Sequence, residues 1–203
     1  MPLYKDFSDD IATVLVWKYD ENEELNPDIL LESENQHKIL GYHPNKIAEV
    51  LMVRKMLKTV LPEHKILYRE NGEPYLFPQN HHISISHSYP LAALAVSKKK
   101  VGIDLEKRKE KIKNIRHKFI LHEDIYIDNR EEVDFLTAIW CVKEALYKIH
   151  HSKHWSLKKH YDILPFELQE EVTVKSRVYD LENEDFFKAK ISFFDNYCLA
   201  IVD

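Results

Sequence analysis

Glycine is nearly absent from this sequence. Three occur in 203 residues, Gly41, Gly72 and Gly102, so neither a P-loop nor a G-x-G-x-x-G turn is available and backbone-lined phosphate cradles are excluded. Cysteine is as scarce. Cys141 falls in a helical pattern and Cys198 in an apolar run, which suits two small core residues in a reducing compartment better than a disulfide framework. No apolar run approaches the roughly 20 residues of a membrane span. The opening Met1-Pro2-Leu3-Tyr4-Lys5-Asp6 lacks the apolar stretch of a signal peptide, so a soluble cytoplasmic protein with no membrane partner is expected. There is no positive excess either: the net charge of −5 argues against wholesale nucleic-acid binding.

Hydrophobic content of 44% and aromatic content of 11% supply a core for one generous domain or two small lobes. Two acidic clusters stand out against it. In Val101-Gly102-Ile103-Asp104-Leu105-Glu106 a period of two puts Asp104 and Glu106 on one face of a short strand. In Trp140-Cys141-Val142-Lys143-Glu144-Ala145-Leu146-Tyr147-Lys148, Glu144 and Lys148 stand at i,i+4 on a helix. Beside an apolar stripe of Phe135, Ile139, Val142, Leu146 and Ile149, the residues Thr137, Cys141, Glu144 and Lys148 form a neighbouring ridge. Alone, either motif reads as surface decoration. Brought together, three carboxylates and a lysine make a hard-cation site suited to Mg²⁺ and phosphate chemistry. A third motif, His82-Ile83-Ser84-Ile85-Ser86-His87-Ser88, precedes them, with Ile83 and Ile85 pointing one way and the three serines the other.

The periodicities predict a strand over 11–19, a helix from the Asn26-Pro27 cap to near Gly41, and a second helix over 45–61. Strands follow at 65–70, 82–88, 91–97 and 101–105, helical patterns at 112–119 and 131–150, and strands at 172–179, 186–194 and 197–202. Each half reads as strand, two helices, three strands, with lobes 1–99 and 100–203. The stretch flanking Asp104 and Glu106 is crowded with Lys98, Lys99, Lys100, Lys107, Arg108, Lys109, Lys111, Lys113, Arg116 and Lys118. It is either a solvated face or a docking surface for an acidic partner. His150, His151 and His154, and likewise His81 with His82, lack a companion cluster at zinc spacing; zinc is not expected. Trp140 is read as core packing.

Ile85-Ser86-His87-Ser88, then Val101-Gly102-Ile103-Asp104-Leu105-Glu106, then Trp140-x-x-Lys143-Glu144-x-x-x-Lys148 resemble, in order and spacing, the 4′-phosphopantetheinyl transferase superfamily. The length is similar to its two-lobed, surfactin-synthetase-activating branch. The resemblance runs from about Pro44 to Lys148. It implies an α+β fold of two similar lobes related by a pseudo-twofold, each a small, mainly antiparallel sheet packed on helices. It also implies an enzyme of the holo-[acyl-carrier-protein] synthase type, with 4′-phosphopantetheine passed from coenzyme A to a serine of an apo acyl or peptidyl carrier protein and 3′,5′-ADP released.

By the same resemblance Asp104, Glu106 and Glu144 would hold Mg²⁺, and Glu144 would take the serine proton. Lys148 would steady charge on the leaving phosphate, and Ser86 with His87 would contact coenzyme A phosphates. One chain, a monomer, would hold a complete site. Two positions depart from the family. Gly72-Glu73-Pro74 stands where the family often carries Gly-Lys-Pro, and Asn45 where it carries an arginine, with Lys46 beside it as the substitute. Both departures touch nucleotide binding. The rival readings are a relative that binds coenzyme A or a carrier without turnover, and a metal-dependent phosphohydrolase or nuclease, in which the serine–histidine strand has no task.

Overall fold

The structure, a computed structural model, describes residues 3–154 and 156–203, apart from the side chains of Ser33, Glu34 and Lys38. The chain divides into two compact units, Met1–Lys100 and Val101–Asp203. No helix among the described residues is long and apolar enough to cross a membrane.

The first unit is built on a four-stranded antiparallel sheet ordered β1-β2-β6-β5, from β1 (Leu3–Asp6), β2 (Ala12–Lys18), β5 (His82–Ser88) and β6 (Leu91–Ser97). Helix α3 (Pro44–Val60) packs on it, burying Met52, Val53, Met56 and Leu57 against Leu15, Trp17, Ala92 and Leu94. Pro44 stands at the first helical position and His43 Nδ1 accepts the Asn45 N–H at 3.3 Å, which caps an otherwise orphaned donor. A separate hairpin pairs β3 (Lys65–Tyr68) with β4 (Pro74–Phe77).

The single helix expected from Asn26 to Gly41 is two. Asn26 caps α1 (Pro27–Leu30) by accepting the Asp28 N–H at 2.9 Å, but Leu31 and Glu32 are extended before α2 (Ser33–Ile39) begins. Leu31 leaves the helix to bury itself with Ile39 and Leu51. Tertiary burial here outweighs a continuous helical pattern.

The second unit carries a five-stranded antiparallel sheet ordered β7-β11-β10-β9-β8. Its strands are β7 (Gly102–Lys107), β8 (Tyr161–Ile163), β9 (Glu171–Tyr179), β10 (Glu184–Phe194) and β11 (Tyr197–Val202). Each unit thus pairs its early core strand with its last strand, and that with the one before: β2-β6-β5 and β7-β11-β10. Helix α4 (Glu132–Ile149) lies on this sheet, with Leu136, Ile139, Val142 and Leu146 in one cluster with Val174, Ile191, Cys198 and Ala200. The helical pattern at 112–119 is a 3₁₀ segment, Glu110–Lys118, followed by two more at His122–Ile125 and Asn129–Glu131. A short helix α5 (Leu157–His160) leads into β8.

Cys141 and Cys198 are free and buried. The Cys141 Sγ lies 3.6 Å from the Cys198 carbonyl, and burial pushes its thiol well above the ordinary value. Gly102 faces α4 so closely that a Cβ there would lie 2.2 Å from the Ala145 carbonyl oxygen. Strand and helix therefore meet backbone to backbone.

Candidate active site

β7 presents Asp104 and Glu106 on the face turned to α4, as the period of two requires. Asp104 is 6% exposed. Lys148, in the last turn of α4, donates to its Oδ1 at 2.8 Å and to the Ile103 carbonyl at 2.8 Å. Two of the three ammonium hydrogens thus tie the helix end to the strand. Trp140 Nε1 donates to Glu106 Oε1 at 3.3 Å, and its ring packs edge-on to Phe119 with centroids 5.1 Å apart. Trp140 accordingly does more than fill the core: it orients one of the carboxylates.

Glu144 is half-buried one turn before Lys148. Burial first, then the charge of Asp104, push its carboxyl from 4.5 up to about 7; Lys148 pulls it down, and Glu106 adds the smallest push upward. Burial and Asp104 likewise raise Glu106. The three carboxylates thus feel one another across the strand–helix contact. Asp104, Glu106 and Glu144 do not offer three oxygens all within 4.8 Å of one another; among the described residues that spacing is met only by His150, His151 and Asp185. Like charges drive the carboxylates apart, and Lys148 lies against Asp104. The donor set is oxygen-only, partly buried and self-repelling, which fits a hard divalent cation as counter-charge.

The histidine set is different. His150 Nδ1 accepts the Ser152 N–H at 3.2 Å, so the ring proton sits on Nε2, 3.0 Å from Asp185 Oδ2. Neither ring nitrogen keeps a lone pair for a metal. The companion that the sequence did not reveal is Asp185 on β10, and it serves to hold the C-terminal end of α4.

Lys143, inside the same helical motif, belongs to the interior. Its ammonium lies 2.5 Å from Glu123 Oε1, both side chains fully buried, and donates to the Phe119 carbonyl at 2.6 Å. Glu123 in turn accepts the Leu121 and Ile163 N–H groups. The pair clamps the 3₁₀ segments to α4.

In the first unit, Lys46 and His87 come together while Ser86 does not join them. Ile85 and His87 line a cavity of about 470 Å³ between α3 and the sheet edge, and strand alternation turns Ser86 to the opposite face. Lys46 Nζ donates to His87 Nε2 at 2.5 Å. Residues that the sequence did not single out complete this cavity: Glu49, Tyr68 and Arg54, whose guanidinium donates to the Tyr68 hydroxyl at 2.9 Å. Of the two departures, Asn45 is exposed and Glu73 sits at the tip of the β3–β4 hairpin, where its N–H is held by Asn71; neither lines the cavity.

Among the described residues, three of the ten cations of the basic stretch form ion pairs within the chain. Arg108 bonds Asp134, Lys113 bonds Glu110 and Glu132, and Arg116 bonds Asp124 and Glu132. No ion pair is found for Lys109 or Lys118 among the described residues.

Comparison with known proteins agrees with the geometry. A family model described as the 4′-phosphopantetheinyl transferase superfamily matches residues 100–202, the segment that carries Asp104, Glu106, Glu144 and Lys148. The chain is 35% identical over 107 residues to 4′-phosphopantetheinyl transferase gsp of Aneurinibacillus migulanus, covering 48% of this chain and 44% of that relative. The match thus spans less than half of the relative's length. With half of its length under the family model, and the acidic strand and helix arranged as described, the chain belongs to the 4′-phosphopantetheinyl transferase superfamily.

Proposed function

We propose that this protein transfers 4′-phosphopantetheine from a coenzyme A-type donor to a serine of an apo carrier protein. The observation that carries the reading is the cluster at α4 and β7, where Glu144 is poised near neutrality beside Asp104, Glu106 and Lys148. In the reaction the serine Oγ bonds to the donor's β-phosphorus, the pyrophosphate P–O bond breaks, and the nucleotide leaves. Glu144 accepts the serine proton; a carboxyl near pH 7 is a fitting general base at neutral pH. Lys148, anchored on Asp104 and Ile103, keeps one N–H for the developing negative charge on the leaving phosphate. Asp104, Glu106 and Glu144 would hold Mg²⁺, which when bound supplies charge neutralisation for the pyrophosphate. Trp140 fixes Glu106, and the buried Lys143–Glu123 pair fixes the helix that carries Glu144.

By the resemblance, Lys46, which stands beside Asn45 at the family's arginine position, and His87 would contact coenzyme A phosphates in the first unit. The stretch from Lys107 to Lys118 would meet an acidic carrier, and within it Lys109 and Lys118 are exposed cations that make no ion pair among the described residues. The test is incubation of the protein with apo carrier proteins, coenzyme A and Mg²⁺, followed by intact mass of the carrier. A gain equal to one phosphopantetheine is expected. An unmodified carrier across fatty-acid, polyketide and peptide-synthetase types would refute the reading.

A further inference from the structure

A lysine just beyond the helix of the acidic site stands where the backbone favours glycine. Lys153 has φ 48°, in the left-handed region that glycine enters freely and other side chains resist. Contacts on both sides hold it there. The Ser152 N–H before it is taken by His150 Nδ1 at 3.2 Å. The His154 carbonyl after it accepts the hydroxyl of the fully buried Tyr161 at 3.2 Å. Such a conformation persists only where its surroundings over-determine it, and it then points to a use.

The use lies at the end of α4. The helix stops at Ile149, and the last carbonyls of a helix need donors from outside its own ladder. The Ser152 N–H, which a continuing helix would give to the Lys148 carbonyl, goes to His150 instead. Lys153 supplies a donor in its place: its ammonium lies 2.5 Å from the Lys148 carbonyl oxygen and 5.6 Å from the centre of the Tyr147 ring. A cation here also suits the negative end of the helix dipole. Residue 148 is thereby held at both ends, its carbonyl by Lys153 and its ammonium by Asp104 and Ile103. A glycine at 153 would suit the backbone better and would reach nothing.

We infer that Lys153 is a positioning residue: it fixes the last turn of α4 through the Lys148 carbonyl, so that the Lys148 ammonium stays on Asp104 with one hydrogen left for the leaving phosphate. This rests on the transferase reading for the identity of the reaction. In this role Lys153 itself touches no reacting atom.

The test compares the whole chain with Lys153→Gly, Lys153→Met and Lys153→Arg. Glycine accepts the backbone and removes the donor, methionine keeps the stem over Tyr147 and removes the charge, and arginine keeps a donor. Misplacing a group by about 1 Å can cost on the order of 10²-fold. In the Gly and Met variants kcat for carrier modification should therefore fall roughly ten- to a hundredfold, with the KM for coenzyme A within about twofold of wild type. Arginine should restore most of the rate. Thermal melts should stay near that of the wild type, and either variant suffices if the other does not fold; failure of both to fold makes Lys153 structural and overturns the inference.

Nitrogen-15 NMR of the lysine ammonium groups, in metal-free protein, reads the same relationship without turnover. The Lys148 signal, assigned with Lys148→Ala, should be protected from solvent exchange in the wild type and lose that protection in the Gly and Met variants. An unchanged kcat in both variants, a change in KM alone, or a Lys148 signal that is unprotected in the wild type or unmoved in the variants overturns the positioning role. Loss of protection as stated, with no carrier modified by the wild type, refutes the transferase reading and leaves the hold of Lys153 on Lys148 standing.

Discussion

Lys148 holds Asp104 across the contact of α4 with β7: its ammonium lies 2.8 Å from the carboxylate and 2.8 Å from the carbonyl of the preceding residue, Ile103. A helix-end lysine therefore serves as counter-charge for a strand carboxylate that also faces two other acids. Removing it acts on both charge balance and chemistry. Lys148→Ala should lower kcat by roughly 10²–10³, the usual cost of losing one donor to developing charge. Because Lys148 lowers the Glu144 pKa, the acidic limb of the rate profile should also move to higher pH. A loss confined to KM, with the limb unmoved, would leave Lys148 as a binding residue only.

Metal ligation and proton abstraction separate by rescue. Asp104→Ala should abolish transfer at ordinary Mg²⁺, and excess Mg²⁺ should restore part of the rate. Glu144→Gln loses basic function as well as charge, and general-base catalysis contributes ~10²–10⁴-fold, so metal should rescue it poorly. A Mg²⁺ titration at saturating donor reads both. Full rescue of Glu144→Gln would limit Glu144 to ligation.

The pH dependence of stability follows from the same carboxyl. Burial and Asp104 raise Glu144 from 4.5 to about 7, so the folded state holds this proton more tightly than the unfolded state does. Its stabilising contribution is complete below pH 4.5 and is lost as the pH climbs through 7. In chelator, melts of wild type and Glu144→Gln should diverge over that window, the variant gaining as the pH rises. Mg²⁺ competes with the proton, so its stabilisation of the wild type should grow with pH. A pH-independent difference between the two proteins would contradict the shift.

Lys143 lies in the same motif as Glu144 and predicts the opposite phenotype. Lys143→Met strands Glu123 without its partner in the interior, and breaking a buried pair costs roughly 3–5 kcal/mol. Denaturant titration should show that loss. The remaining folded protein should keep its donor KM, a result that a catalytic lysine would not give.

Reversal of charge at Lys109 and Lys118 should weaken carrier binding and flatten its salt dependence while leaving nucleotide affinity unchanged. Reversal at Arg116 should instead lower the melting temperature, since that side chain bonds Asp124 and Glu132. Equal loss of carrier and nucleotide affinity in the Lys109–Lys118 variant would remove these residues from the carrier surface.

The strand and helix of the acidic cluster were legible because each is a strict local period: Asp104 and Glu106 at spacing two, Glu144 and Lys148 at spacing four. The motif did not distinguish Lys143 from its neighbours. Its role depends on Glu123, which comes from a 3₁₀ segment with no strong pattern. Glu49 was equally silent, since its contact with His87 exists only once α3 lies on β5. Strand β1 is mostly exposed and short, so it carries little alternation to detect, and β4 begins on a proline that argues against a strand. The break at Leu31 runs against its own local pattern, and only the position of Leu51 on another helix explains it.

The absent side chain at Gly102 bears on how freely the rest of the second unit can drift in sequence. Where two elements are held apart by interlocking side chains, swapping a leucine for a valine alters the gap between them. Here the Ala145 carbonyl oxygen sits where a Cβ would be, 2.2 Å away, and the gap is set by main-chain atoms that every residue shares. Substitutions at Val174 or Ile191, deeper under α4, change how firmly the unit holds together without resetting the span from Asp104 to Glu144. The ruler for the acidic site is thus kept apart from the filler of the core, and a single methyl group at position 102 is enough to shift it.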